Sequence, residues 1–448
     1  MNMAVKDKYG DEALRLIKVF IKRSEQQIRR CFPHVDDKKL VGQDGVLRLS
    51  GKQRRRLSLA PGTDLLVRET SEGLLLRPSD PPLTKVYVEP TSACNLRCRT
   101  CVRNSWSEQV GSMETASYRQ LVDGLQGVPS LRTIAFWGFG EPLLHPDIVE
   151  MVVLAKELGA KTELITNGLL LDREMAEGLI MAGLDTLVVS VDGTSPETHP
   201  GIRSGADLRV VDENVKGLRA ARRAKSRQNP EIGLEFVVMR RNVSELPNLH
   251  RLAYAMGASF VVVTNLLPYT EEFKEEILYW LSASSSYRLV RSWWSPEIVL
   301  PRMDARREYL EPLLGLLKHR GIIDLLPRRS DGAEGYCRFV GEGAVAIAWD
   351  GEVSPCVALM HSYTCYVLGR EKFIRRYAVG NIGQEKITHI WDSHEYRQFR
   401  TRVQQFDFSP CVDCGGCQFS ESNEEDCFGN KFPVCGDCLW ARGVILCP

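Results

Sequence analysis

The sequence predicts an α/β fold: a partial (β/α)6 TIM-like barrel with a small N-terminal β-hairpin module and a cysteine-rich C-terminal domain. Three observations predict it. Between Lys85 and Pro268, apolar β-branched runs alternate with stretches whose apolar residues recur at helical spacing, the pattern of parallel βα units. Residues of unusual chemistry stand directly after those runs, where the C-terminal mouth of a barrel would collect them. Ten of the 14 cysteines fall after residue 336, where apolar periodicity is weak. A doubly wound sheet is the alternative packing of the same units.

From the N-terminus, residues 1–40 are expected to form an amphipathic helix. The run ALRLIKVFIKR is interrupted by Arg15, Lys18 and Lys22, and no small-residue cleavage site follows it, so it does not read as a signal peptide. Residues 41–80 read as short strands with turn signals, ending in a hairpin around Ser71–Gly73. The barrel is expected over 83–270. Its strand runs are KVYVE from Lys85, TIAFWG from Thr133, KTELITNG from Lys161, TLVVSVDG from Thr186, GLEFVVM from Gly233 and SFVVVTNLLP from Ser259. The stretches IVEMVVLAKELG and ELPNLHRLAYAMG read as helices stopped by glycine. A helical linker is expected over 271–336, and a cysteine-rich domain over 337–448.

Composition bounds the function. With 448 residues, 44% of them apolar, the chain can bury a large core, and a net charge of +1 gives no broad field for a nucleic acid. No apolar span reaches 18 residues, so no membrane is expected, and the protein is expected in the cytoplasm. In that reducing compartment cysteines serve as metal ligands more readily than as disulfides.

The chemistry concentrates after the strands. CNLRCRTC places Cys94, Cys98 and Cys101 on a loop following the first run. Three thiolates can hold three irons of a cubane cluster and leave the fourth iron without a protein ligand. A structural zinc site wants four ligands, and no fourth Cys or His stands nearby. WGFGEP ends the second run: Gly138 and Gly140 permit close backbone approach, Glu141 adds a carboxylate and Pro142 fixes the turn. Asn167 ends the third run, while Ser190 and Asp192 end the fourth and share a face at period two. In the tail stand Cys337, Cys356, Cys411, Cys414, Cys417, Cys427, Cys435, Cys438 and Cys447. Cys411, Cys414, Cys435 and Cys438 also form CxxC-x20-CxxC, near the spacing of a zinc ribbon, so zinc is the alternative metal for the tail. Cys31 and Cys365 are the bystander candidates.

CxxxCxxC with its strand-end motifs resembles the radical SAM superfamily over about 180 residues. The resemblance implies a 4Fe–4S cluster on Cys94, Cys98 and Cys101, whose free iron is chelated by S-adenosylmethionine and whose electron cleaves it to a 5'-deoxyadenosyl radical. It implies SAM contacts from Gly138, Gly140, Glu141, Pro142, Asn167, Ser190 and Asp192. Where the family usually has an aromatic residue before the third cysteine, this chain has Thr100, which leaves adenine stacking to Trp106 or Trp137. The tail resembles a SPASM domain, implying one or two auxiliary 4Fe–4S clusters. CRTCVRNSW, ESNEEDCFGN and CGDCLWARG resemble the maturases associated with tungsten-containing aldehyde oxidoreductases. That implies a protein or cofactor substrate, a tungsten oxidoreductase or its pterin, and a low-potential electron donor such as ferredoxin. Residues 41–80 resemble an AbrB/SpoVT hairpin, although Lys52 and Arg54–Arg56 read better as a solvated turn than as a DNA contact. Two other readings stay open: modification of a ribosomal peptide, and an iron–sulfur redox sensor.

Overall fold

The structure, a computed structural model, describes residues 51, 65–70, 73–280, 286–288, 297–300, 303–304, 306–318, 326–328, 337–412 and 416–446. The helix expected over 1–40, most of the segment 41–64, and Cys31, Cys414 and Cys447 lie outside the described residues.

Strands β1 (Leu65–Thr70) and β2 (Gly73–Pro78) pair antiparallel with Thr70 opposite Gly73, forming the expected hairpin. The barrel strands follow: β3 (Lys85–Val88), β4 (Thr133–Phe136), β5 (Lys161–Thr166), β6 (Thr186–Ser190), β7 (Glu231–Val238) and β8 (Phe260–Asn265). They lie side by side in chain order, and each neighbouring pair is parallel. Each is almost wholly buried beyond its first residues, which is why the runs are continuously apolar rather than alternating.

Local signals set the helices between them. Asp172 accepts from the Met175 amide at 2.9 Å to start Arg173–Ala182, and Gly183 ends that helix at φ 84°. Leu246–Met256 stops at Gly257, φ 68°, as its sequence predicts.

Past β8 the structure departs from expectation. The segment 271–336 is not a purely helical linker. Its described residues hold the helix Arg307–Lys318 and three short strands, β9 (Ser286–Arg288), β10 (Glu297–Leu300) and β11 (Leu326–Arg328). β10 pairs parallel with β8, satisfying an edge that would otherwise leave backbone groups unpaired. On the other flank β12 (Ala344–Ile347) runs parallel to β3, and β13 (Glu352–Ser354) pairs antiparallel with β12. A separate hairpin joins β14 (Tyr363–Val367) to β15 (Arg370–Ile374), and β16 (Gly380–Asn381) closes the far edge. Among the described residues the main sheet has 12 strands, with β11 and β16 at its edges.

The cysteine-rich tail therefore joins the barrel sheet through β12, after the helical turn Arg338–Gly341. Tail residues Val345, Ile347, Ile390 and Tyr396 share one core with Val86, Ile134, Leu187 and Leu234 of the barrel. Arg400, 1% exposed, donates to Asp80 at 2.6 Å and to the Trp391 carbonyl at 2.8 Å, and lies 4.2 Å over the Trp391 ring. Its stem and charge thus tie the tail to the chain entering β3. Among the described residues no helix is long and apolar enough to cross a membrane.

Candidate active site

Strand order brings the ends of β3 to β8 to one mouth, where Cys94, Cys98, Cys101, Gly138, Gly140, Glu141, Asn167, Ser190 and Asp192 line a single open cavity of about 240 Å³. Pro142 is buried at the start of the 3-10 turn Pro142–Leu144 and shapes that wall from behind.

The cysteine loop is held by its backbone. Thr91 accepts from the Ala93 amide at 3.0 Å and donates to the Gly111 carbonyl at 2.8 Å. The Arg97 and Arg99 amides donate to the carbonyls of Ser204 and Ile202 at 3.1 and 3.0 Å, and Arg99 is ion-paired with Glu272. The Leu96 amide points at the Cys94 sulfur, 3.4 Å away. Burial pushes the Cys98 thiol up to about 12 and raises that of Cys101, so each keeps its proton until a cation compensates the thiolate.

The WGFGEP turn packs directly on this loop. The Glu141 amide donates to the Ala93 carbonyl at 2.7 Å. A Cβ on Gly140 would overlap the carbonyl oxygens of Thr91 and Ala93, which are backbone atoms that cannot step aside. Gly140→Ala is therefore expected to lower stability by about 1–3 kcal/mol and displace the cysteine loop. Gly217→Ala, at a helical position with nothing nearby, should stabilise by up to about 1 kcal/mol. Thermal melts of both variants check the pair.

Glu141 is 2% exposed. One carboxylate oxygen accepts from the Thr166 hydroxyl at 2.6 Å and the Leu143 amide at 3.1 Å, and the other from the Asn167 amide at 2.8 Å. Burial raises its pKa, and those three donors pull it back. About one acceptor position of the carboxylate is left for a ligand. The Asn167 side chain spans to Asn95 at 2.7 Å, joining β5 to the cysteine loop.

Asp192 does not offer a free carboxylate to the cavity. One oxygen accepts from the Val237 amide at 3.0 Å, the other from Arg203 Nε at 2.7 Å. Sequence reading missed Arg203, which lines the cavity on the Cys98 side, because nothing local marks an arginine 11 positions after Asp192. It also missed Glu235, whose carboxylate stands 3.4 Å from Ser190 across the β6–β7 register. A glutamate inside a buried parallel strand was the available signal. Burial, opposed by Arg203, pushes its pKa up to about 7. Of the two tryptophans considered for adenine, Trp137 lines the cavity, whereas Trp106 packs on His361 and Phe139.

The family described as the radical SAM superfamily matches residues 88–253, and the iron–sulfur cluster-binding SPASM domain matches residues 337–418. Over 370 residues, 81% of this chain and 96% of the relative, the chain is 33% identical to the tungsten-containing aldehyde ferredoxin oxidoreductase cofactor-modifying protein of Pyrococcus furiosus. The chain belongs to the radical SAM superfamily.

Other relatives of this radical SAM enzyme include an AdoMet-dependent heme synthase of Methanosarcina barkeri, 27% identical over 70% of this chain and 83% of the relative. A PqqA peptide cyclase of Granulibacter bethesdensis is 31% identical over 42% of this chain and 49% of the relative. The solved structure of anSMEcpe with bound AdoMet shares the fold, with a TM-score of 0.50 and 19% identity over 76% of this chain and 84% of that one.

Radical SAM domains take S-adenosylmethionine and a 4Fe–4S cluster, and SPASM domains take auxiliary iron–sulfur clusters. The residues present fit that chemistry: three soft thiol donors line one wall, with a carboxylate, amides and a guanidinium around the rest. In the tail, Cys337, Cys356, Cys435 and Cys438 line a second cavity of about 70 Å³. Burial raises all four thiols, and each of Cys337, Cys356 and Cys435 is raised further by neighbouring members of the set. Cys365 shares the cavity walls.

Cys411 stands outside that cavity beside Cys427, both sulfurs reaching the Ser409 hydroxyl at 3.2 Å. Cys417 is exposed and caps the turn Gln418–Ser420. The described members of the zinc-ribbon quartet part company: Cys435 and Cys438 line the cavity with Cys337 and Cys356, which are remote in sequence, and Cys411 does not.

Proposed function

We propose that this radical SAM enzyme reductively cleaves S-adenosylmethionine and acts in maturation of a tungsten-containing aldehyde oxidoreductase or its tungstopterin cofactor. The observation that carries the tungsten reading is the 33% identity to the cofactor-modifying protein across 96% of that relative, barrel and tail together. The peptide reading has a narrower base, since the cited PqqA peptide cyclase matches 42% of this chain. A DNA-binding redox sensor would leave the polar groups of the cavity without a task.

In this reading Cys94, Cys98 and Cys101 hold the SAM cluster, which when bound supplies the electron that breaks the sulfonium bond of SAM. Gly138 and Gly140 present backbone to the methionine end, and the remaining acceptor position of Glu141 suits its ammonium. Arg203, held through Nε by Asp192, keeps the rest of its guanidinium for the methionine carboxylate. Asn167 and Ser190 face the nucleoside, with Trp137 as the aromatic neighbour. Glu235, poised near neutrality, can take or give a proton within the same cavity. Cys337, Cys356, Cys435 and Cys438 form the first auxiliary set. Cys411 and Cys427, with Cys414 and Cys417 close to Cys411 in sequence, form the second; Cys417 and Cys427 are exposed, where a ferredoxin-like donor would deliver electrons. A reducing cytoplasm suits that many thiols.

The test is anaerobic. Cluster-loaded protein with reductant and SAM should yield 5'-deoxyadenosine, and more of it when the metal-free oxidoreductase or its pterin is added. Product without any response to either addition would remove the tungsten assignment and return the peptide reading. Absence of SAM binding would remove both.

A further inference from the structure

Beside the Trp137–Glu141 turn, outside the set of residues lining the cavity, three polar side chains from distant parts of the chain meet in the interior. His361 follows the tail's 3-10 turn Val357–Leu359 and is 1% exposed; Glu89, directly after β3, is fully buried. His361 Nε2 lies 2.7 Å from Glu89 and Nδ1 lies 2.6 Å from Glu108, in the segment after the cysteine loop. The imidazole is 4.5 Å from the Trp106 ring and 5.8 Å from that of Phe139.

Each carboxylate also has a second duty. Glu89 Oε1 accepts from the Phe139 amide at 2.9 Å, the middle of the glycine-rich turn, while Oε2 accepts from the Trp349 amide of the tail at 3.4 Å. A Cβ on Gly138 would overlap the Glu89 side chain. Glu108 accepts from the Ser362 amide at 2.6 Å, and Arg376 stands 4.0 Å from it. A neutral imidazole can donate to only one of two flanking carboxylates; an imidazolium donates to both.

We propose that His361, donating to both Glu89 and Glu108, is a positioning residue for S-adenosylmethionine: it docks the cysteine-rich tail on the barrel and, through Glu89, sets the height of the Gly138–Glu141 backbone. The inference rests on the reading that this turn holds SAM. It makes ligand binding at the mouth depend on the seating of the auxiliary-cluster domain. Burial alone would lower the His361 pKa, but the two carboxylates outweigh it and push it up to about 9. A histidine raised in this way stabilises the folded state fully below its unfolded value of 6.5, and the contribution is lost as pH rises through about 9. The charged groups facing it are Glu89 from the end of β3 and Glu108 from the cysteine-loop side, with Arg376 behind Glu108.

The test measures SAM affinity by anaerobic equilibrium dialysis of the cluster-loaded full chain from pH 7 to 10, with melting curves alongside. His361→Gln, which keeps a donor but not the charge, should bind about tenfold more weakly than wild type at pH 7. The gap should close toward pH 10, as wild type loses its imidazolium. SAM's own amino group titrates in both proteins, so the difference between the two curves is the readout. Glu108→Gln, at the more accessible end, should weaken binding in the same direction and decides the matter should His361→Gln fail to fold. Folded variants binding as tightly as wild type at every pH would overturn the proposal. A wild type that binds no SAM would instead overturn the reading of the cavity on which it rests.

Discussion

Cys98→Ala is expected to reduce 5'-deoxyadenosine formation to background while leaving the chain folded. The two halves of that expectation have separate physical grounds. Everything that shapes the loop around Cys98 is backbone or another residue's side chain: the Cys101 amide on the Cys98 carbonyl at 3.2 Å, the Asn104 amide group on the same carbonyl at 2.9 Å, and the pairing of Arg97 and Arg99 with Ser204 and Ile202. Alanine keeps all of these. What it removes is one of three thiol donors, and with two left the cluster has no arrangement that holds three irons and keeps one for the substrate. Product chromatography, iron content and a melting curve on the same preparation separate the outcomes. A folded variant that still makes 5'-deoxyadenosine would show that these cysteines do not carry the chemistry.

The second large effect is expected at Arg203. Its guanidinium pairs with Asp192, 1% exposed, at 2.7 Å, and its charge also favours the ionised form of Glu235, 9% exposed. Arg203→Met keeps much of the side-chain length and removes the cation, leaving two buried carboxylates, whose charges oppose each other, without it. Breaking a buried pair from one side costs about 3–5 kcal/mol. The sign of the pH dependence follows from Glu235. Its folded pKa, near 7, lies above the ordinary carboxylate value of 4.5, so the folded state binds the proton more tightly and stability falls as pH rises across that window. Without Arg203 the folded pKa rises further. The variant should therefore lose most stability at pH 8 and recover part of it near pH 5, a difference that melting at the two pH values reads directly. Adding Asp192→Asn should restore some stability at pH 8, giving a double variant less impaired than the sum of the singles. Equal melting of wild type and Arg203→Met at both pH values would mean that the guanidinium is not the counter-charge described here.

Several features were legible before any coordinates because they are local. The six barrel strands fall on the six apolar runs, since burial on both faces of a parallel strand leaves its mark on every residue of that strand. Helix stops at Gly159 and Gly257 are likewise written in single residues that accept a left-handed backbone. The cavity residues Gly138, Glu141, Asn167 and Ser190 could be named in advance because strand-end position is a matter of topology, and topology follows from the order of βα units. The segment 271–336 was harder to read. Strands of three or four residues carry too little periodicity to separate from loop, and their pairing, β10 on β8, β9 on β10 and β11 on β9, extends an open sheet edge rather than following from their own composition.

By itself, then, the sequence determined the kind of fold, the three-cysteine loop and the mouth at which it sits, because period, turn chemistry and strand order are properties of neighbours along the chain. Only the tertiary structure decided which groups neutralise one another in the interior. Glu89 and His361 are 272 positions apart, and Asp192 reaches its partners across a strand and a helix. The grouping of Cys337 and Cys356 with Cys435 and Cys438, apart from Cys411 and Cys427, was decided in the same way. Spacing along the chain sets which cysteines are adjacent, but a buried charge or thiol must find its partner in space, and that choice is made by the path of the whole chain through one shared core.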